Sequence, residues 1–138
     1  MVEDNWLDSN FNEEEVIESL IVDVDGYEGP LDILLTLARS QKVDVRKISV
    51  LMLAEQYLKF IKEAKELRIE LAADYLVMAA WLAFLKSRLL LPADPSDEGP
   101  SGEELAAYLA FQLERLEAMR TYAAKILTRD QLGRDFFV

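Results

Sequence analysis

The sequence predicts a mainly α-helical protein: a small N-terminal bundle of three helices preceded by one short strand, then a linker and a long amphipathic helix. Three observations carry this prediction. Apolar residues recur at three- and four-residue steps over four stretches. Residues 92–102, PADPSDEGPSG, place three prolines, two glycines and three acids between the third and fourth of those stretches. Only around Val22 and Val24, which alternate with Asp23 and Asp25, does the pattern change to the period of two expected of a half-buried strand.

At 138 residues and 51% hydrophobic, the chain is long enough for one real core and too short for two full-sized domains. Cysteine and histidine are both absent, which removes disulfides, thiolate nucleophiles, imidazole bases and every Cys/His metal site. Most enzyme chemistries go with them, and no cofactor is expected. Acids outnumber bases 26 to 15, for a net charge of −11, so the summed field repels a polyanion.

Residues 1–18 read as an acidic, disordered tail. The first 25 residues hold nine acids and no Lys or Arg, and they lack the charged start and apolar run of a signal peptide. A cytoplasmic location is expected. The strand ends in GYEGPLD, where Gly26 and Gly29 are expected to allow backbone angles that other residues resist. Pro30 suits a first helical position, and Asp32 suits a first turn, where the helix dipole favours an anion. A phosphate-binding loop is disfavoured, because the Lys-Ser/Thr signature is missing and Glu28 and Asp32 repel phosphate.

The first predicted helix, Pro30 to about Ser40, carries Leu31, Leu34, Leu35, Leu37 and Ala38 on a broad apolar face. Val43, Val45 and Ile48 then anchor a connection, and Ser49 is the expected N-cap of a second helix reaching about Leu67. The third helix, Leu71 to Leu91, is apolar or small on every side of its first fifteen residues except at Asp74, and Pro92 ends it. A helix apolar all round has to be surrounded. Tyr75, Met78, Leu82, Leu85 and Leu89 step by three and four, which suits either a coiled-coil seam or the chain's own core. No run is long and uncharged enough to span a bilayer.

The fourth helix, about Gly102 to Thr128, places Leu105, Leu109, Leu113, Leu116 and Met119 on one stripe, with Glu114, Arg115, Glu117 and Arg120 away from it. Its length and the linker before it suit an arm for another protein, and a fourth member of a closed bundle suits the same spacing equally well.

VDGYEGPLDILLTLARSQKVDVRKIS, AEQYL and LAADYLVMAAWLAFLKSRLLLP, in this order, resemble the N-terminal region of segregation and condensation protein A, the bacterial kleisin family. LERLEAM and AAKILTRDQLGRDFF resemble that family's middle region, with the alphaproteobacterial branch the nearest. The resemblance covers about residues 18–138. It implies a non-enzymatic subunit of the SMC condensin complex in chromosome condensation and segregation, located on the nucleoid. Residues 19–91 would be the N-terminal kleisin domain, which joins the coiled-coil neck of an SMC ATPase. Residues 92–102 would be a linker, and 103–138 the start of the middle region, held by a dimer of segregation and condensation protein B. The family's C-terminal winged helix is expected beyond Val138.

Carried onto this sequence, the neck contact falls on Tyr75, Met78, Leu82, Leu85 and Leu89, and the second-partner contact on Leu105, Leu109, Leu113, Leu116 and Met119. DNA would be met only through the complex, with no membrane or small-molecule substrate involved. Two rivals compete with this reading. A helical DNA-binding regulator needs clustered cations, yet Lys59, Lys62, Lys65 and Arg68 are offset by Glu63 and Glu66. A carboxylate enzyme would rest on Glu70 and Asp74, the only pair of acids that leans toward burial.

Overall fold

The computed structural model describes residues 13–92, 95–96 and 98–137, so the first twelve residues of the expected acidic tail lie outside it. Five helices carry the described chain: α1 (13–22), α2 (Pro30–Ser40), α3 (Val50–Glu66), α4 (Ala73–Leu90) and α5 (Gly102–Phe137). Single 3-10 turns at Val24–Gly26 and Val45–Lys47 lead into α2 and α3.

No strand occurs among the described residues, which corrects the one short strand expected at Val22–Asp25. A strand would turn Val22 and Val24 to the same face, whereas Val22 is 80% exposed and Val24 only 8%. Ile17, Leu20, Ile21 and Val24 are all buried, and their steps of three, one and three fit a helical stripe running into a 3-10 turn. The same stripe takes residues 13–18 out of the expected disordered tail and into α1.

The junction into α2 works differently from the sequence expectation. Gly29 is extended at φ 171°, no described glycine takes a left-handed φ, and a Cβ on Gly26 or Gly29 would meet nothing within 4 Å. Neither glycine is required by conformation or space. Pro30 is the first residue of α2, as expected, and Asp32 reaches back so that its Oδ2 accepts the Glu28 amide at 3.2 Å. The residues that do adopt the left-handed conformation are Lys42 and Arg68, both at φ 57°. Arg68 closes α3, its amide bonded to the Lys65 carbonyl and the next amide, Ile69, bonded to that of Ala64.

α2 buries Ile33, Leu34, Leu35, Leu37 and Ala38, and Ser49 caps α3 by accepting the Met52 amide at 3.2 Å. α3 sends Leu53, Ala54, Tyr57, Phe60 and Ile61 inward at helical spacing. The core is shared by all five helices, with Ile17, Leu34, Phe60, Leu82 and Leu113 among its buried members. The bundle is therefore not the expected one of three helices: α5 packs into it as well, the second of the two arrangements that its spacing allowed. Gly102 lies against the last turn of α4, and Leu109 and Leu113 are buried in the core. α5 spans 36 residues, about 54 Å at 1.5 Å per residue, and residues 121–129 on it are all exposed.

Candidate partner-binding faces

The five residues carried over to a neck contact fall on the inner side of α4. Tyr75, Leu82 and Leu85 are buried, while Met78 and Leu89 are partly buried and pack against the core. α3 and α5 occupy that seam, so this chain fills it for itself. What remains is a second apolar stripe facing outward: Leu76, Val77, Ala80, Ala83, Phe84 and Leu90 are all exposed, Val77 at 68% and Phe84 at 52%. Because α4 is apolar almost all round, core formation consumes one side and leaves the other uncovered. Phe84 is steadied by the Arg88 guanidinium, 5.6 Å from its ring centre, and Arg88 also donates to the Pro100 carbonyl at 2.7 Å.

α5 repeats the arrangement. Leu109 and Leu113 are buried and Leu105 and Leu116 partly so; of the five expected second-partner residues only Met119 is exposed. Its outward side carries Tyr108, Phe111, Met119, Tyr122 and Ile126.

A ladder of ion pairs holds the middle of α5 down, made by three of the residues expected to lie away from its apolar stripe. Glu114 meets Arg46 at 3.0 Å, Glu117 meets Arg39 at 3.6 Å, and Arg120 donates to Asp32 and lies 3.8 Å from Glu28. The steps of three place all the rungs on one side of α5. The Arg39 and Arg46 rungs are well exposed and contribute roughly 0–1 kcal/mol each. The Arg120 rung differs, since the Asp32 side chain is 11% exposed. Burial alone would raise the Asp32 pKa. The Arg120 hydrogen bond, the Glu28 amide and the charges of Arg120 and Arg39 outweigh it, so the carboxyl titrates below its ordinary value.

The acids weighed for catalysis, Glu70 and Asp74, are both exposed, and the buried acid, Asp32, is committed to Arg120. Tyr57 donates its hydroxyl to the Tyr75 carbonyl at 2.9 Å, and burial, followed by the neighbouring Tyr75, pushes its phenol far up. Among the described residues no group of acids has the arrangement of a metal site, and no helix is long and apolar enough to cross a membrane. The surfaces suit contact with other helices.

A family model described as "Segregation and condensation protein ScpA" matches residues 37–131. Segregation and condensation protein A of Xylella fastidiosa (strain 9a5c) is 43% identical over 118 residues, 86% of this chain and 39% of that protein. The protein of the same name from Coxiella burnetii is 40% identical over 121 residues, 88% of this chain and 45% of that one. The one from Bacillus cytotoxicus is 41% identical over 112 residues, 78% and 45% of the two chains. The chain thus spans about two fifths of the length of the curated relatives it matches. These relatives are gammaproteobacterial and Bacillota, and the expected alphaproteobacterial branch finds no support among them.

Proposed function

Because this chain belongs to the segregation and condensation protein A family, we propose that it is a non-enzymatic kleisin subunit acting in chromosome segregation and condensation. In this reading it bridges SMC ATPase subunits, with one contact on a coiled-coil neck, and recruits segregation and condensation protein B. It works in the cytoplasm, on the nucleoid, and meets DNA only through the complex. Residues 19–91 form the neck-binding part, 92–102 the linker and 103–138 the start of the partner-binding region.

The observation that carries the neck contact is the outward stripe of α4, an apolar helix face left open beside a filled core. A coiled coil offers helices of matching spacing, so Leu76, Val77, Ala80 and Phe84 would complete a bundle with it. Tyr75, Leu82 and Leu85 hold α4 in place from behind. For the second partner the outward face of α5 offers Tyr108, Phe111, Met119 and Tyr122, aromatic anchors of the kind that dominate interfaces.

Calorimetric titration of the chain with an SMC head carrying its neck tests this reading. Saturable one-to-one heat is expected, abolished by Phe84→Glu while the helical circular dichroism persists. Absence of heat from a folded chain would remove the neck contact, and retention of heat in Phe84→Glu would move it off this face.

A further inference from the structure

The C-terminal half of α3 and the N-terminal half of α4 lie side by side, with a groove of about 680 Å³ between them. Leu58, Ile61, Leu76, Ala79 and Ala80 give it an apolar lining, and Lys62 and Lys65 stand along its α3 edge with Glu66 beyond them. Both lysines are exposed and neither makes an ion pair among the described residues, although Lys86, further along the same two helices, meets Glu55. We infer that residues 1–12, the segment ahead of α1, dock in this groove, with acids against Lys62 and Lys65 and apolar side chains against its lining.

The segment has the composition that complements this groove. It carries Glu3, Asp4 and Asp8 without a Lys or Arg, and it interleaves Trp6, Leu7 and Phe11 with them. In a chain of net charge −11 most surfaces repel such a segment, and a cation already matched to an acid attracts it little. The α3–α4 groove brings apolar area and unmatched cations together. The groove between α1 and α2, nearer the start of α1, offers Val16, Leu20 and Tyr27, but Glu15 borders it and its Arg39 is already paired with Glu117.

Length permits the contact. Twelve residues extend to about 40 Å, and a bundle of about 100 residues has a radius of gyration of only about 13 Å. Ile17 of α1 and Ile61 of the groove belong to the same core, so the groove lies within that span. Because the segment is tethered, its local concentration is on the order of millimolar, and even a weak contact is populated. Leu76 and Ala80 also belong to the stripe proposed for the neck. On that reading a seated segment has to leave before a neck docks, which makes it an internal competitor.

The chain has no cysteine, so a nitroxide attached to Ser9→Cys reports where the segment goes. Amide signals of residues 58–66 and 76–80 should be broadened more strongly than those of residues 36–42, beside the α1–α2 groove. That broadening should be lost in the Lys62→Glu, Lys65→Glu double variant, whose two sites are exposed, so that circular dichroism stays unchanged. Broadening strongest at residues 36–42, broadening spread evenly over the surface, or broadening that persists in the double variant would each overturn the inference. So would equal broadening of an unlabelled chain mixed with the labelled one, which would put the segment on another copy. These measurements use this chain alone, so their failure leaves the neck reading standing, and failure of the neck titration leaves them unaffected.

Discussion

At Gly102 the start of α5 passes so close to α4 that an added Cβ would lie 2.9 Å from both the Arg88 carbonyl carbon and the Leu89 amide nitrogen. Those atoms belong to a helix backbone and cannot swing aside, so Gly102→Ala should cost about 1–3 kcal/mol in chemical melts. Gly26→Ala and Gly29→Ala, with open space and no left-handed φ, should change stability by no more than about 1 kcal/mol, in the stabilising direction. The sequence drew attention to the wrong glycines, because Gly-Tyr-Glu-Gly-Pro looks like a turn locally whereas a close helix approach has no local mark. Asp32 was legible as a first-turn acid, but its partner, 88 residues away, was not. Its carboxyl titrates below its unfolded value, so its stabilising contribution is complete above the ordinary carboxyl pKa of about 3.9 and is lost as the pH falls through the folded value. Acid unfolding of Asp32→Asn, followed by circular dichroism, should accordingly show a shallower loss of stability over that range than the unmodified chain.

Among the elements, α5 divides into two parts. Its proximal part is buried through Leu109 and Leu113 and tied by the ladder ending at Arg120, and residues 121–129 are all exposed. A helix without tertiary support is marginal in water, so amide hydrogen exchange should be slow from Leu105 to Leu116 and fast from Thr121 onward. Arg120→Ala should cost about 1–3 kcal/mol in a denaturant melt, since it leaves the nearly buried Asp32 carboxylate short of a partner. α4 divides around its circumference instead. Leu82→Glu puts a charge into the core and should unfold the chain, whereas Phe84→Glu, on the exposed side, should leave it folded. Helical periodicity identified both helices, but α4 is apolar on every side, and spacing alone does not choose which side turns inward.

Over the whole molecule, 26 acids against 15 bases leave a field unsuited to nucleic acid. The isolated chain should show no anisotropy change with a fluorescent DNA duplex at about 0.1 M salt, where a basic DNA-binding regulator would be retained. A measurable, salt-sensitive affinity would revive that rival. The bundle carries its charge on outward helix faces and joins α5 to α2 and to the Val45–Lys47 turn through pairs that are partly exposed, so the fold rests mainly on its shared apolar core.

The sequence by itself determined the helices α2 to α4 nearly to their ends, the Ser49 cap, the Pro30 start, the linker before α5 and the resemblance to a kleisin family. Each of these depends on neighbours within a turn or two, or on the order of residues along the chain. Tertiary structure decided that α1 replaces a strand and that α5 closes the bundle. It also decided that the expected contact stripes of α4 and α5 largely serve the core, leaving their opposite faces open. Those outcomes depend on which apolar faces cover one another. Periodicity shows how apolar residues are spaced around a helix, and only the packed chain shows which of them another element has already covered.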